Sequence, residues 1–214
     1  MTLRHYTILD KFIVESDKAI KTVFGKPETS AREIPGNDLG ETTLSQQEAK
    51  RSIGLMRVNH SGEVSAQALY QGQALTAKLP NVRQAMEQAA IEENDHLVWC
   101  EQRVHHFDGH TSLLNPFWYV GSFAIGALAG KIGDKWSLGF VAETEKQVIK
   151  HLEQHLDQIS KDDLKSRAIL QQMKRDEVHH GIVALQAGGA ALPPPVKLAM
   201  RLVSKIMTMT SYRI

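Results

Sequence analysis

The chain of 214 residues is long enough for one domain with a substantial core. With 42% apolar residues, 23% charged residues and a net charge of +1, it is neither disordered nor an integral membrane protein, and it lacks the basic excess of a nucleic-acid binder. Few aromatics, no strand-like alternation and a dominance of Ala, Gln, Leu, Lys and Glu read as all-α, while the single Cys100 points to a reducing compartment such as the cytoplasm.

An amphipathic helix is expected over about residues 6–24. The N-terminus, MTLRHYTILDKFIVESDKAIK, has no uninterrupted apolar core and no small-residue cleavage site, so it does not read as a secretory signal. Nothing later in the chain reaches the roughly 18 consecutive apolar residues of a membrane span. GKPETSAREIPGNDLGETT (25–43) reads as a linker or wrapped loop. Ser45 and Glu48 form a capping box that opens a long helix to about Lys78. LPN (79–81) breaks it, and Asn81 with Gln84 predicts a second capping box and a helix to about Phe107. After the loop DGHTSLLNP, Pro116 suits the first position of a Gly/Ala-rich apolar stretch ending near Gly130. A helix follows from Asp134 to about Ser160, KDD turns the chain, and another runs to about Ala187. Gly188–Gly189 and Pro193–Pro195 stop it, and an amphipathic helix over about 196–209 ends the chain. Four long helices in two short-looped hairpins predict a four-helix bundle over 45–190, with an N-terminal helix and linker (1–44) and a C-terminal helix (191–214) in the same domain.

Candidate ligands emerge where charge interrupts apolar stripes. On 81–107 the stripe is Met86, Ala89/Ala90, Leu97, Cys100, Val104 and Phe107, and Glu93 and His96 fall inside it. On 161–187, Glu177 and His180 fall within Ile169/Leu170, Met173, Ala184 and Ala187, again as Glu-x-x-His. Glu92, Asp95 and Trp99, and likewise Asp176 and His179, point more to the side. On 134–160, Glu145 sits in the apolar stripe, whereas Glu143 shares a polar face with Gln147 and Lys150, so Glu145 is preferred. On 45–78, Glu63 lies in line with Met56, Tyr70 and Ala74, a weaker stripe.

Glu63 and Glu93 are 30 residues apart and Glu145 and Glu177 are 32 apart, with both midpoints at the predicted turns. Residues about 15 positions either side of a turn lie at the same height, roughly 22 Å up a hairpin. Each hairpin thus sets one Glu beside one Glu-x-x-His. Two hairpins together give the four glutamates and two histidines of ferritin-like di-iron and di-manganese bundles. Carboxylates mixed with imidazole favour iron or manganese, and the absence of a Cys cluster or His-Glu-x-x-His disfavours zinc.

VNHSGEVSAQALYQGQ (58–73), EENDHL (92–97), VAETEKQV (141–148) and RDEVHHG (175–181) together resemble the demethoxyubiquinone hydroxylase family, over roughly residues 45–190. The resemblance implies a ferritin-like di-iron monooxygenase of ubiquinone biosynthesis. It implies two iron ions held by Glu63, Glu93, His96, Glu145, Glu177 and His180, with Glu93 and Glu177 bridging. The implied reaction is O₂-dependent hydroxylation of a polyprenyl methoxy-benzoquinol ring. The lipid substrate implies a peripheral protein on the cytoplasmic side of the cell membrane, in a homo-oligomer or in a complex with other ubiquinone-biosynthesis proteins. WYVGSFAIGALAG (118–130) and the last helix, with Leu198, Leu202, Ile206 and Met209 beside Lys197, Arg201 and Lys205, suit lipid contact or, alternatively, ordinary core or dimer surface. The competing readings are a ferritin-like iron-oxidising or storage protein and a metal-free scaffold.

Four features stay outside this assignment. HHFDGH (105–110) reads as a wet loop rather than a second metal site, and His151 and His155 as edge residues or a proton relay. Tyr70 reads as core rather than a radical site, and Cys100 as a small hydrophobe.

Overall fold

A computed structural model describes residues 7–25, 29–30 and 32–214. Among them run seven helices and no strand: α1 (Ile8–Phe24), α2 (Gln46–Thr76), α3 (Pro80–His106), α4 (Asn115–Ile132), α5 (Asp134–Gln158), α6 (Leu164–Gln186) and α7 (Pro194–Ser211). α2 pairs with α3 and α5 with α6 as antiparallel hairpins, and the two hairpins pack into a ferritin-like bundle. The start of the first predicted helix, residue 6, lies outside the described residues.

The capping box at Ser45 and Glu48 forms in both directions. The one expected at Asn81 and Gln84 does not. α3 begins at Pro80, with Leu79 as its cap and no side-chain cap bond, because proline pre-sets the first helical turn and brings no N–H that needs a partner. Asp134, from the start of α5, instead accepts the Lys78 and Leu79 amides at 3.0 and 2.8 Å. Pro116 is the second residue of α4 rather than the first, since the helix opens at Asn115. α7 starts two residues earlier than expected, with Pro193 as its cap. α6 ends as Gly188 takes a φ of +101°, a conformation that favours glycine.

α2 has almost no solvent face, and this accounts for its weak stripe. Apolar and polar residues alike are buried from Ser52 to Ala74, including Arg57, Asn59, His60, Gln67, Gln71 and Gln73. α4 lies directly against it. A β-carbon at Gly72 would overlap the Phe123 carbonyl, and one at Gly126 would overlap the Leu69 carbonyl, so the two backbones touch where neither has a side chain. The Thr76 hydroxyl donates to Ala127 O at 2.9 Å across the same seam.

Two apolar cores lie at opposite ends of the bundle. Met56, Cys100, Val104, Leu152, Ile169 and Met173 fill the end near the α5–α6 turn. Tyr70, Ala74, Val82, Met86, Leu138 and Ala184 fill the end near the α2–α3 turn. The charged residues picked out in the sequence sit between these cores.

Candidate metal centre

All six residues converge. Glu63, Glu93, His96, Glu145 and Glu177 are 3% exposed or less, and His180 is 7% exposed. Glu63, Glu93, His96 and Glu177 bring ligand atoms within 4.8 Å of one another, and this buried group can hold a metal ion. His96 Nδ1 lies 2.9 Å from Glu93, 3.3 Å from Glu177 and 3.6 Å from Glu63. His180 Nδ1 lies 3.2 Å from Glu93 and 3.3 Å from Glu177. Glu93 points Oε2 at His96 and Oε1 at His180, while Glu177 points Oε1 at His96 and Oε2 at His180. Each of these two glutamates thus spans both imidazoles. Glu145 accepts a hydrogen bond from the Tyr70 hydroxyl. Glu143 stays outside, bonded to Gln147 at 2.9 Å and facing Lys197 at 3.5 Å.

Four carboxylates in one dry space repel each other and lose hydration, so they need positive charge. Without metal the need is met by protons. Burial first, then Glu93, pushes Glu63 well above the carboxylate range, and burial first, then Glu177, does the same to Glu145. Burial pulls His180 down, but the Glu177 and Glu93 carboxylates beside it outweigh burial and push it up to about 12. His96 is raised well above 6.5 against the same desolvation, chiefly by Asp176 and Glu177. Burial opposes ionisation of Glu93, yet the His180 and His96 imidazoles beside it hold it below the usual range. The residues fit divalent metal: two such ions would balance four carboxylates with both imidazoles neutral. Glu93 Oε1, buried, makes no hydrogen bond although His180 Nδ1 is 3.2 Å away, as expected of an atom aimed into a ligand space.

The outward nitrogens of both histidines are held by residues that the sequence placed on a polar side face. His96 Nε2 meets Asp176 at 2.9 Å, and His180 Nε2 meets Glu92 at 2.7 Å. Glu92 and Asp176 immediately precede Glu93 and Glu177, and each reaches the histidine of the other hairpin. The signal was an acidic residue directly before each Glu-x-x-His. Such a partner fixes the ring and leaves Nδ1 facing the cluster. Asp176 is held down to about 2, since its bonds to His96 and Arg32 outweigh burial.

An apolar cavity of about 340 Å³ runs between α2, α4, α5 and α7 and reaches Glu63. Leu69, Ile125, Phe140, Val148, Met200 and Val203 wall it, with Asn59, His151 and His155 also on its lining. His155 bonds Asn59 at 2.8 Å, and burial pulls its pKa down to about 4, so it is neutral near pH 7. His151 meets Ser204 at 3.1 Å. Beside the cavity, Phe117, Val120, Leu128 and Ile132 on α4 are 67%, 68%, 60% and 61% exposed, and Leu198, Leu202, Val203, Ile206 and Met209 on α7 are half-exposed. Among the described residues no helix is long and apolar enough to cross a membrane. His105, His106 and His110 are exposed. Tyr70 is core, as read, but its bond to Glu145 also makes it part of the cluster.

An antiparallel bundle that buries four glutamates and two histidines midway along its length belongs to the ferritin-like carboxylate class. Comparison with known proteins narrows the class. The profile of the family described as ubiquinone biosynthesis protein COQ7 matches residues 50–211, and the chain belongs to that family. It is 60% identical over 209 residues to a 3-demethoxyubiquinol 3-hydroxylase of Nitrosococcus oceani, covering 98% of both chains. It is 55% identical over 213 residues to the enzyme of that name from Pseudomonas fluorescens, covering 100% of this chain and 99% of the other. The corresponding Acinetobacter baumannii protein is 56% identical over 210 residues, covering 98% of this chain and 99% of that one.

Proposed function

We propose that this chain is an O₂-dependent di-iron monooxygenase that hydroxylates the ring of demethoxyubiquinol in ubiquinone biosynthesis. The observation that carries the reading is the carboxylate–histidine cluster at the inner end of an apolar cavity flanked by exposed apolar residues. Glu63, Glu93, His96 and Glu177 would hold one iron, and Glu145, Glu93, Glu177 and His180 the other, with Glu93 and Glu177 shared. Iron bound at these residues would supply the two-electron reduction of dioxygen. The reaction balances as a ring C–H, O₂, two electrons and two protons giving C–OH and water. The chain's part is to seat the ring near Glu63, exclude water with the apolar wall, and hold both imidazoles neutral with Nδ1 inward.

A polyprenyl substrate stays in the bilayer, so the enzyme docks as a peripheral protein on the cytoplasmic side of the cell membrane. The exposed apolar residues of α4 and α7 would enter the lipid, and Arg201 and Lys205 would face anionic headgroups. Lys197 is partly engaged, lying 3.5 Å from Glu143.

The test is anaerobic loading with ferrous iron, followed by O₂ and a short-chain quinol with the ring of demethoxyubiquinol. The expected product is heavier by one oxygen atom, and the same conversion should occur with the polyprenyl quinol in vesicles. Iron that is bound and oxidised with no change in quinol mass would overturn the hydroxylase reading in favour of an iron-oxidising protein.

A further inference from the structure

The COQ7 profile begins at residue 50, and the cluster contacts described above lie within it except the one made by Arg32. The Arg32 guanidinium places Nε 2.6 Å from Asp95 of α3 and Nη1 2.8 Å from Asp176 of α6. Its Nη2 donates to the Glu92 carbonyl at 3.5 Å, and its central carbon lies 4.9 Å from the centre of the Trp99 ring. Trp99 in turn lies against His96, with ring centres 5.4 Å apart. Asp95, 1% exposed, is anchored further by the Ser30 amide at 2.9 Å and by the Ser30 hydroxyl.

Arg32 therefore meets the surroundings of His96 by two routes, through Asp176 and through Trp99. Asp176 Oδ2 receives both Arg32 and His96 Nε2, while Oδ1 accepts Gln172 at 2.8 Å. A planar guanidinium can join two carboxylates on different helices at once, which a lysine ammonium on a flexible stem does poorly. On the other half, Glu92 is held by Gln88 at 3.0 Å, and Arg32 touches only its main chain.

We propose that Arg32 is a positioning residue for one of the two metal positions. By tying Asp95 to Asp176 across α3 and α6 it fixes the carboxylate and the indole that orient His96, and so sets metal affinity at the His96 position and not at the His180 position. The proposal rests on the reading of His96 as a metal ligand, and the experiment separates the two.

Cobalt(II) is titrated into the full-length, metal-free protein, following the visible bands of bound cobalt and the melting temperature. In R32A one of two cobalt ions should bind about tenfold more weakly, with altered bands for that ion alone. R32K, which keeps the charge and the stem, should be weakened at the same position, and millimolar guanidinium should restore R32A. K174A removes an α6 cation that pairs with Glu153, and should match the wild type. Wild-type affinities and bands in R32A, or in R32K should R32A not fold, would overturn the role of Arg32. So would equal weakening of both ions together with a lowered melting temperature of the metal-free protein. H96A binding two cobalt ions like the wild type would instead sink the ligand reading.

Discussion

The two Glu-x-x-His motifs build halves that are alike at the centre and different around it. Glu63, which lies beside His96, lines the apolar cavity, and the partner of His96, Asp176, is 16% exposed at its side chain and tied to Arg32. Glu145 and His180 are not on the lining of that cavity, Glu145 is bonded by Tyr70, and the partner of His180, Glu92, is 32% exposed. The half that reaches the cavity through Glu63 is braced from outside by the N-terminal loop, and the other, closed half is braced from inside by a phenol. Repetition of a motif thus reproduces the inward-facing geometry, while the supports come from wherever the chain happens to pass.

The strongest challenge to this comparison is a residue common to both halves. E177A should weaken both metal ions by more than about a hundredfold, above the loss of an outer hydrogen-bond partner, because its oxygens face both histidines. H96A and H180A should each cost chiefly one ion. E143A should cost little, since its side chain faces Gln147 and Lys197. Metal content by elemental analysis after dialysis decides, and E177A retaining one ion at full affinity would break the assignment of a shared glutamate.

Protons test the halves together. Glu63, Glu145, His96 and His180 all hold their protons more tightly folded than unfolded when metal is absent. Their contribution to stability is full below the unfolded values, 4.5 for the glutamates and 6.5 for the histidines, and is lost as pH rises through the folded values, about 12 for His180. Glu93 acts in the opposite sense, stabilising above 4.5 and losing that as pH falls through its depressed value. The metal-free protein should therefore lose stability between weakly acid and alkaline pH. Metal uptake displaces these protons, so its affinity should rise by about tenfold per pH unit for each proton released. Calorimetry in buffers of different ionisation enthalpy counts the protons; a count of zero would contradict the charge balance drawn for both halves.

Y70F probes the closed half alone. Removing the hydroxyl leaves a buried Glu145 oxygen without its donor, a loss of about 1–3 kcal/mol. The melting temperature of the metal-free protein should fall, and metal at the His180 position should change more than at the His96 position.

Much of the centre was legible because buried charge is costly, so an acid or an imidazole inside an apolar stripe marks a place where something compensates. Glu93, His96, Glu145 and Glu177 interrupt such stripes, and the similar spacings of 30 and 32 residues about two turns paired the helices. Glu92 and Asp176 were missed because they look like an ordinary wet face; only packing of α3 on α6 shows that each meets a histidine. Arg32 was missed for a related reason: it lies in a loop with no periodicity to read, and its partners on α3 and α6 are 63 and 144 residues away. The true start of α3 was missed because Asn81 and Gln84 imitate a capping box that Pro80 pre-empts. The stripe of α2 was faint because α4 covers its outer face, a contact set by glycines whose partners no spacing reveals.

The finest test compares the two outer carboxylates. D176N and E92Q each replace an ionised acceptor by an amide that can still accept from a histidine N–H, so ring orientation and fold should survive. Asp176 is the more buried and also anchors Arg32, whereas Glu92 is better hydrated and held by Gln88. D176N should therefore weaken one metal ion by about tenfold, and E92Q should weaken the other by a smaller factor, toward or below the lower end of what loss of such a partner costs. The two changes should also act on different ions, so their effects add in the double variant. Cobalt titration of the two single variants and the double variant measures this directly. Equal losses, or losses at the same ion, would mean that the halves are supported alike and that the brace from the N-terminal loop does not distinguish them.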